Sequence, residues 1–340
     1  MKEATIYVTF LSPLFSNLPP AIPIAYTRFD FDNLLTLLDV LSTEFRAVRF
    51  VGGDPLMIPY MFDVLEFAYD KYNTITIETV GAAPMLKYGY AIRSYLNEGA
   101  NIQILFNMLD PTPQVNDKYL GRGAWELAIS GLTLLSSTFN INPKVVFYVG
   151  EHSTHRYNII FRLGFDIILR RAYGMKITNR SLLKAYKIAE QIADPERFFV
   201  DDPVYRALHF GERWTGEFVV TPDGKVYAHR YLLSTPVADL TKQDLDEALE
   251  NHKQAIQSMM NRELKGKCAK CAYAEICGGG DPFFWPKKAI YDTACPIEEF
   301  KESEVLLPAG EENIENIEPM EEGEIVEDTG DNVAEAEGEE

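Results

Sequence analysis

Three cysteines fall close together in "KCAKCAYAEICGGGD", at Cys268, Cys271 and Cys277, and the fourth, Cys295, completes a C-x2-C-x5-C-x17-C spacing. In a reducing compartment such a cluster reads as metal ligands rather than as two disulfides. Thiolates favour zinc and iron–sulfur cores, and four of them complete a tetrathiolate set without help from other side chains. A C-x2-C turn points both sulfurs the same way. The triple glycine after Cys277 lets the backbone approach a bulky inorganic core and donate N–H bonds to its sulfurs. Spacing alone does not separate zinc from iron–sulfur.

The elements that must position these thiols are legible in the apolar periods. Strand-like runs alternate with amphipathic ones: "ATIYVTFL" then "FDNLLTLLDVLSTEF", "AVRFVGG" then "MFDVLEFAYDKY", "TITIETVG" then "YAIRSYLNEG", "NIQILFNML" then "GAWELAISGLTLLSSTF". With "PKVVFYVG" and "FDIILRRAYG" further on, about six βα units fit before residue 200, the signature of a parallel sheet. "GEFVVTPDGKVYAHRY" then predicts a hairpin turning at "PDG". The helix after it has Thr241 and Asp244 placed for its N-terminal cap and anionic first turn. A boundary at "FFVDDPVYR" divides the chain into a parallel α/β domain over 1–205 and a cysteine-bearing α+β domain over 206–300.

The net charge of −19 over 340 residues is concentrated at one end, because sixteen acids and a single lysine lie in residues 301–340. That tail has no apolar period and is expected to be disordered and solvating, with docking to a basic partner as the alternative role. The remainder is near neutral and offers no broad phosphate-neutralising surface, which argues against nucleic acid. The N-terminus has no basic segment leading into a long apolar run, and no unbroken run of about 18 apolar residues occurs. The expected location is therefore cytoplasmic, off the membrane.

"CAKCAYAEICGGGD" with Cys295, preceded by "VVTPDGKVYAH", resembles the SPASM domain of radical S-adenosylmethionine enzymes. The resemblance extends over about residues 4–300. "FVGGDPLM" is similar to the family's GGEP segment, "ETVGA" to its strand end after the next strand, and "NDKYLGRGAWELAISGLTLL" to its arginine–glycine segment and following helix. It implies a partial parallel (β/α)6 barrel and one 4Fe–4S cluster on Cys268, Cys271, Cys277 and Cys295, zinc remaining the alternative. It also implies a cofactor contact at Gly52, Gly53 and Asp54.

The departures from the family pattern are specific. The C-x3-C-x2-C loop that follows its first strand reads "TFLSPLFSNLPPAIPIAYT" here, with no cysteine, histidine or carboxylate. Leu120 stands in place of the family's arginine. Three further thiolate positions correspond to His209, His229 and Asp281, which suit a harder metal or serve as ordinary hydrogen-bonding groups. His152 and His155, in "GEHSTHRY", read as loop residues. S-adenosylmethionine is expected to bind weakly if at all, and Asp54 reads first as a capping turn residue. The reading favours a non-catalytic iron–sulfur protein that serves as partner, scaffold or electron relay in peptide or cofactor maturation. The alternative is an enzyme using the barrel mouth for S-adenosylmethionine- or metal-dependent chemistry.

Overall fold

Alternation of period becomes alternation of element, and several helices carry their own start signal in the sequence. Asp30 opens α1 (Phe31–Ser42) by accepting from the Asp32 N–H at 3.1 Å, and Leu34, Leu38 and Leu41 then form one buried stripe. The helix crosses back between β1 (Glu3–Tyr7) and β2 (Ala47–Val51), which pair in parallel from Glu3–Ala47 to Tyr7–Val51. The structure, a computed structural model, describes residues 3–9, 28–81, 85–172, 176–192, 194, 196–280, 282, 292–293 and 295–297. Residues 10–27, Asp281 and the acidic tail, each the subject of an expectation above, lie outside the described residues.

The parallel series continues through β3 (Thr74–Thr79), β4 (Ile102–Met108), β5 (Lys144–Val149), β6 (Asp166–Arg171) and β7 (Phe198–Asp201). Between them run α2 (Met61–Lys71), α3 (Met85–Asn97), α4 (Pro113–Leu120), α5 (Ala124–Phe139), α6 (Asn158–Arg162) and α7 (Asn179–Ile192). A strand covered on both faces needs no alternation, and β5 accordingly buries its last five residues in a row. Among the described residues no helix is long and apolar enough to cross a membrane.

On the other side of β1 the sheet is extended by β8 (Phe218–Val220), parallel to it, then by antiparallel β9 (Lys225–Tyr227) and β10 (Ala238–Asp239). The hairpin at "PDG" is thus present, and its first strand is a member of the main sheet. The boundary expected at 205/206 falls inside α8 (Pro203–Phe210), which Asp202 caps by accepting from Val204 and Tyr205 N–H at 2.9 and 3.0 Å. Met1–Ser303 form one compact unit. Two short segments caused the difference: β7 has only four residues, and β8 completes its pairing more than 200 positions away from β1. The last long helix, α9 (Leu245–Met260), is capped by Asp244 through the Glu247 N–H at 2.9 Å, while Thr241 instead donates to Asp239.

Charge inside the sheet shows that it curls. Glu78 on β3 accepts from Arg49 on β2 (3.0 Å), Arg170 on β6 (3.2 Å) and Arg230 beyond β9 (3.1 Å). In a flat sheet β3 and β6 would stand about 14 Å apart, so side chains meeting at one carboxylate require an open barrel wall. Burial would raise the Glu78 carboxyl, but Arg170, Arg230 and Arg49 hold it well below the usual carboxylate range. Glu217 is half-buried, which would raise its carboxyl, but its pairing with Arg230 holds it at about 2.

Replacing Glu78 by glutamine removes the carboxylate shared by Arg49, Arg170 and Arg230, each of which keeps one other carboxylate partner, and the expected loss is about 3 kcal/mol at neutral pH. Because the folded-state value is depressed, Glu78 contributes fully above its unfolded value near 4.3 and loses that contribution as pH falls. Denaturant titrations of wild type and Glu78→Gln should therefore differ by a near-constant amount above about pH 4.3 and converge progressively as pH falls from there toward the depressed folded-state value. A constant difference across that window would contradict the ion-pair account.

Candidate metal centre and the strand-end pocket

Two short turns bring the four thiols together. Residues 266–270 form a 3-10 turn closed by the Cys271 N–H on the Cys268 carbonyl (3.3 Å), and α10 (Ala274–Cys277) places Cys277 one turn on. Cys268, Cys277 and Cys295 are buried and Cys271 is half-buried. All four are free thiols and line one cavity of about 260 Å³, together with Lys267, Ala274, Gly279, Gly280 and Ile297. Val204 and Ala207 of α8 pack against Cys277 and Cys295 from below.

A single zinc ion holds its four sulfurs about 2.3 Å away, hence within about 4 Å of one another. Among the described residues no three His, Cys, Asp or Glu groups converge so as to hold one metal ion. Four thiols lining one cavity supply the donor set of an iron–sulfur core. Burial pushes the Cys277 thiol up to about 11 against the pull of the Gly280 and Gly279 amides, and the Cys295 thiol up to about 12 with the Asp292 carboxylate adding to the rise. Ligation must therefore expel protons that the apo pocket retains at neutral pH.

The pocket is tied to the barrel by Arg171, the last residue of β6, whose side chain is fully buried. Its guanidinium donates to Asp202, the α8 cap, and to Asp292, which lies within electrostatic reach of Cys268, Cys277 and Cys295. Tyr186 of α7 also donates to Asp202. A Cβ on Gly280 would stand 2.5 Å from Asp292 Oδ2, so the absence of a side chain there is what lets Asp292 reach the arginine. Nothing in the cysteine spacing pointed to Arg171 or Asp292; the one available signal was a pair of arginines, Arg170 and Arg171, ending an apolar strand.

The "GGDP" segment sits at the end of β2. Gly52 has φ +90°, and any Cβ there would press on the Thr9 carbonyl oxygen, so the strand end and the start of the following loop touch. Thr9 bridges to Arg28, which pins the two ends of the cysteine-free loop side by side next to Gly52. The Asp54 carboxylate is fully buried: it accepts from the Leu56 N–H at 3.2 Å and from the Thr79 hydroxyl at 2.9 Å. Thr79 in turn accepts from the Gly81 N–H at 3.0 Å, so "GGDP" and "ETVGA" form one hydrogen-bonded corner in which Asp54 acts as a cap.

Other sequence candidates disperse. His209 stacks on Tyr205 with ring centres 4.0 Å apart and pairs with Glu190 at 3.3 Å, whereas His229 accepts through Nδ1 from the Tyr231 N–H at 3.2 Å. Asp117 of "NDKYLG" caps the start of α5, accepting from the Gly123 and Trp125 N–H groups at 2.9 and 3.0 Å. Leu120 is buried in an apolar cluster with Leu105, Tyr148 and Tyr231. His152 and His155 lie in the loop between β5 and α6.

No family model matches the chain. A curated protein of Methanosarcina barkeri, an AdoMet-dependent heme synthase, is 25% identical over 269 residues, covering 67% of this chain and 75% of that one. Among solved structures, anSMEcpe with bound AdoMet and a Cp18Cys peptide superposes with a TM-score of 0.69 at 14% identity, over 88% of this chain and 94% of that chain. Streptococcus suis SuiB bound to its precursor peptide SuiA gives 0.65 at 13% identity, over 86% and 75%. The structural likenesses establish the fold, and together with the curated relative they support the resemblance to the radical S-adenosylmethionine superfamily. They lend no support to the doubt over S-adenosylmethionine binding, since AdoMet is bound in a similar structure.

Gly280→Ala should push Asp292 off Arg171 without removing a thiol. The expected outcome is a reduced iron content after anaerobic reconstitution and a lower thermal midpoint, with Cys277→Ala losing the metal altogether. Full iron loading in both variants would show that these residues do not hold the metal.

Proposed function

We propose that the chain is a 4Fe–4S protein of radical S-adenosylmethionine/SPASM type that has given up radical catalysis and serves maturation of a peptide or cofactor as partner, scaffold or electron relay. The observation that carries the first half is that Cys268, Cys271, Cys277 and Cys295 line a single cavity of about 260 Å³. A cluster held there would supply one-electron transfer. The chain contributes four sulfurs, amides of Gly279 and Gly280 toward Cys277, and an arginine-neutralised carboxylate at Asp292. The SPASM resemblance is then partial, one cluster being kept and the His209, His229 and Asp281 positions having lost the other.

The second half rests on the loop after β1. Residues 9–27 contain no thiolate, and all four cysteines of the chain are placed elsewhere. A cluster closed by four cysteines leaves no iron open to a substrate, so reductive cleavage of a sulfonium has no short electron path. A peptide partner is supported by the similar structures solved with peptides, anSMEcpe and SuiB. The acidic tail suits a basic partner.

A second reading, an enzyme acting on S-adenosylmethionine at the corner formed by Gly52, Gly53 and Asp54, is favoured by the named activity of the Methanosarcina barkeri relative. On this reading the glycines admit the ligand to the backbone and Asp54 offers the carboxylate.

Anaerobically prepared protein is expected to carry about four iron and four sulfide per chain, read by metal analysis and Mössbauer spectra. Stoichiometric zinc without iron would sink the assignment. Reduced, cluster-loaded protein should yield no 5′-deoxyadenosine from S-adenosylmethionine above a protein-free control. Product that appears with the cluster and vanishes in Asp54→Ala would establish the second reading instead.

A further inference from the structure

Three lysines flank Cys268 in the chain, and they are placed differently. Lys265 is exposed and loosely paired with Glu263 at 3.9 Å, and Lys270 is exposed with no hydrogen-bond or ion partner among the described residues. Lys267 is half-buried, stands one position before Cys268 in the 3-10 turn of residues 266–270, and lines the cysteine cavity. Its ammonium donates to the Cys295 carbonyl at 2.7 Å, across 28 positions of chain. A lysine that only solvates a surface keeps its rotamer freedom; this one gives it up for a single backbone acceptor.

That acceptor belongs to the thiol the chain leaves most remote, since 17 residues separate Cys295 from Cys277. The Cys295 segment meets the Cys268 turn through the Lys267 bond and through the Asp292 N–H, which reaches the Cys268 sulfur. The charges around the cavity are divided. Burial raises the Cys268 and Cys295 thiols, the Asp292 carboxylate adds to the rise, and the Lys267 ammonium opposes it at both. Arg171, paired with Asp292, also opposes it at Cys295, whereas Cys277 feels the carboxylates of Asp292 and Asp202. A cluster closed by four thiolates is an anion, and one added electron makes it more negative. A fixed cation beside two of the four sulfurs therefore stabilises the reduced state more than the oxidised one.

We propose that Lys267 is a positioning residue of the cluster site, clamping the Cys295 carbonyl against the Cys268 turn and holding there a positive charge that raises the cluster's reduction potential. The inference rests on the cluster reading above and adds to it what sets the ease of electron uptake. Lys270 lines the same cavity and supplies the contrast, a charge without the bond.

The test compares the full chain as wild type, Lys267→Met, Lys267→Arg and Lys270→Met. Anaerobic dithionite titration with mediator dyes, followed by absorbance, reads the reduction equilibrium. Lys267→Met is expected to shift it about tenfold toward the oxidised form, which for a one-electron couple is a potential lower by about 59 mV. Lys267→Arg, which keeps the charge and a donor, and Lys270→Met should each shift it by less than about threefold. In iron-free protein, maleimide labelling located by peptide mass spectrometry reads the clamp. Cys295 is buried in the wild type and should label about fivefold faster in Lys267→Met, but not in Lys270→Met. A loaded Lys267→Met that titrates like wild type, or an arginine or Lys270→Met variant shifted as far as Lys267→Met, overturns the electrostatic role. Unchanged Cys295 labelling in Lys267→Met overturns the clamp. If Lys267→Met loads no iron, the arginine variant decides the first and labelling the second. Wild-type protein without iron overturns the cluster reading instead, and the labelling still decides the clamp.

Discussion

A guanidinium with no exposure to water holds the molecule's two chemical regions together. Arg171 ends a barrel strand, yet its hydrogen bonds go to the cap of α8 and to Asp292 beside the cysteines. Taking such a charge out of water costs several kcal/mol, and the cost is offset only while both carboxylates keep their geometry. The cysteine pocket is therefore more than a loop laid on the barrel. Its shape depends on β6, on the start of α8 and on Gly280 remaining without a side chain.

The same logic governs the interior. Glu78 gathers arginines from β2, β6 and the segment after β9, and the barrel curls as far as those side chains can reach. An apolar lumen would pack as well and tolerate more. A charged one fixes which strands must face each other, since a wrong pairing leaves a buried ion alone. The outer helices carry ordinary apolar stripes, so specificity sits inside and bulk stabilisation outside.

The sequence disclosed those parts of the structure that repeat or are spaced locally. The βα alternation, the hairpin at "PDG" and the cysteine spacing all depend on neighbours within about twenty residues, and all three are in the fold. Four-residue β7 was too short to show a period, and β8 gave no sign that its partner is β1. Asp54 shows a further limit: "GGDP" identified a corner, but only the Thr79 and Leu56 contacts reveal what its carboxylate does. Arg171 was invisible because its role is set by partners 31 and 121 positions away. Charged residues closing apolar strands, such as Glu78 in "TITIET", were the usable hint.

The placement of β1 has a consequence for how the chain is made. One edge of β1 is covered early by β2, but the other waits for Phe218–Val220. At about 5–20 residues per second of synthesis, that edge stands open for roughly 10–40 s, with its N–H and C=O groups available to any passing strand. The N-terminal units cannot complete their sheet on the ribosome until the hairpin emerges. Cys268, the first of the four thiols, also follows β8 in the chain, so the cavity they line forms only after the strand that covers this edge has been made.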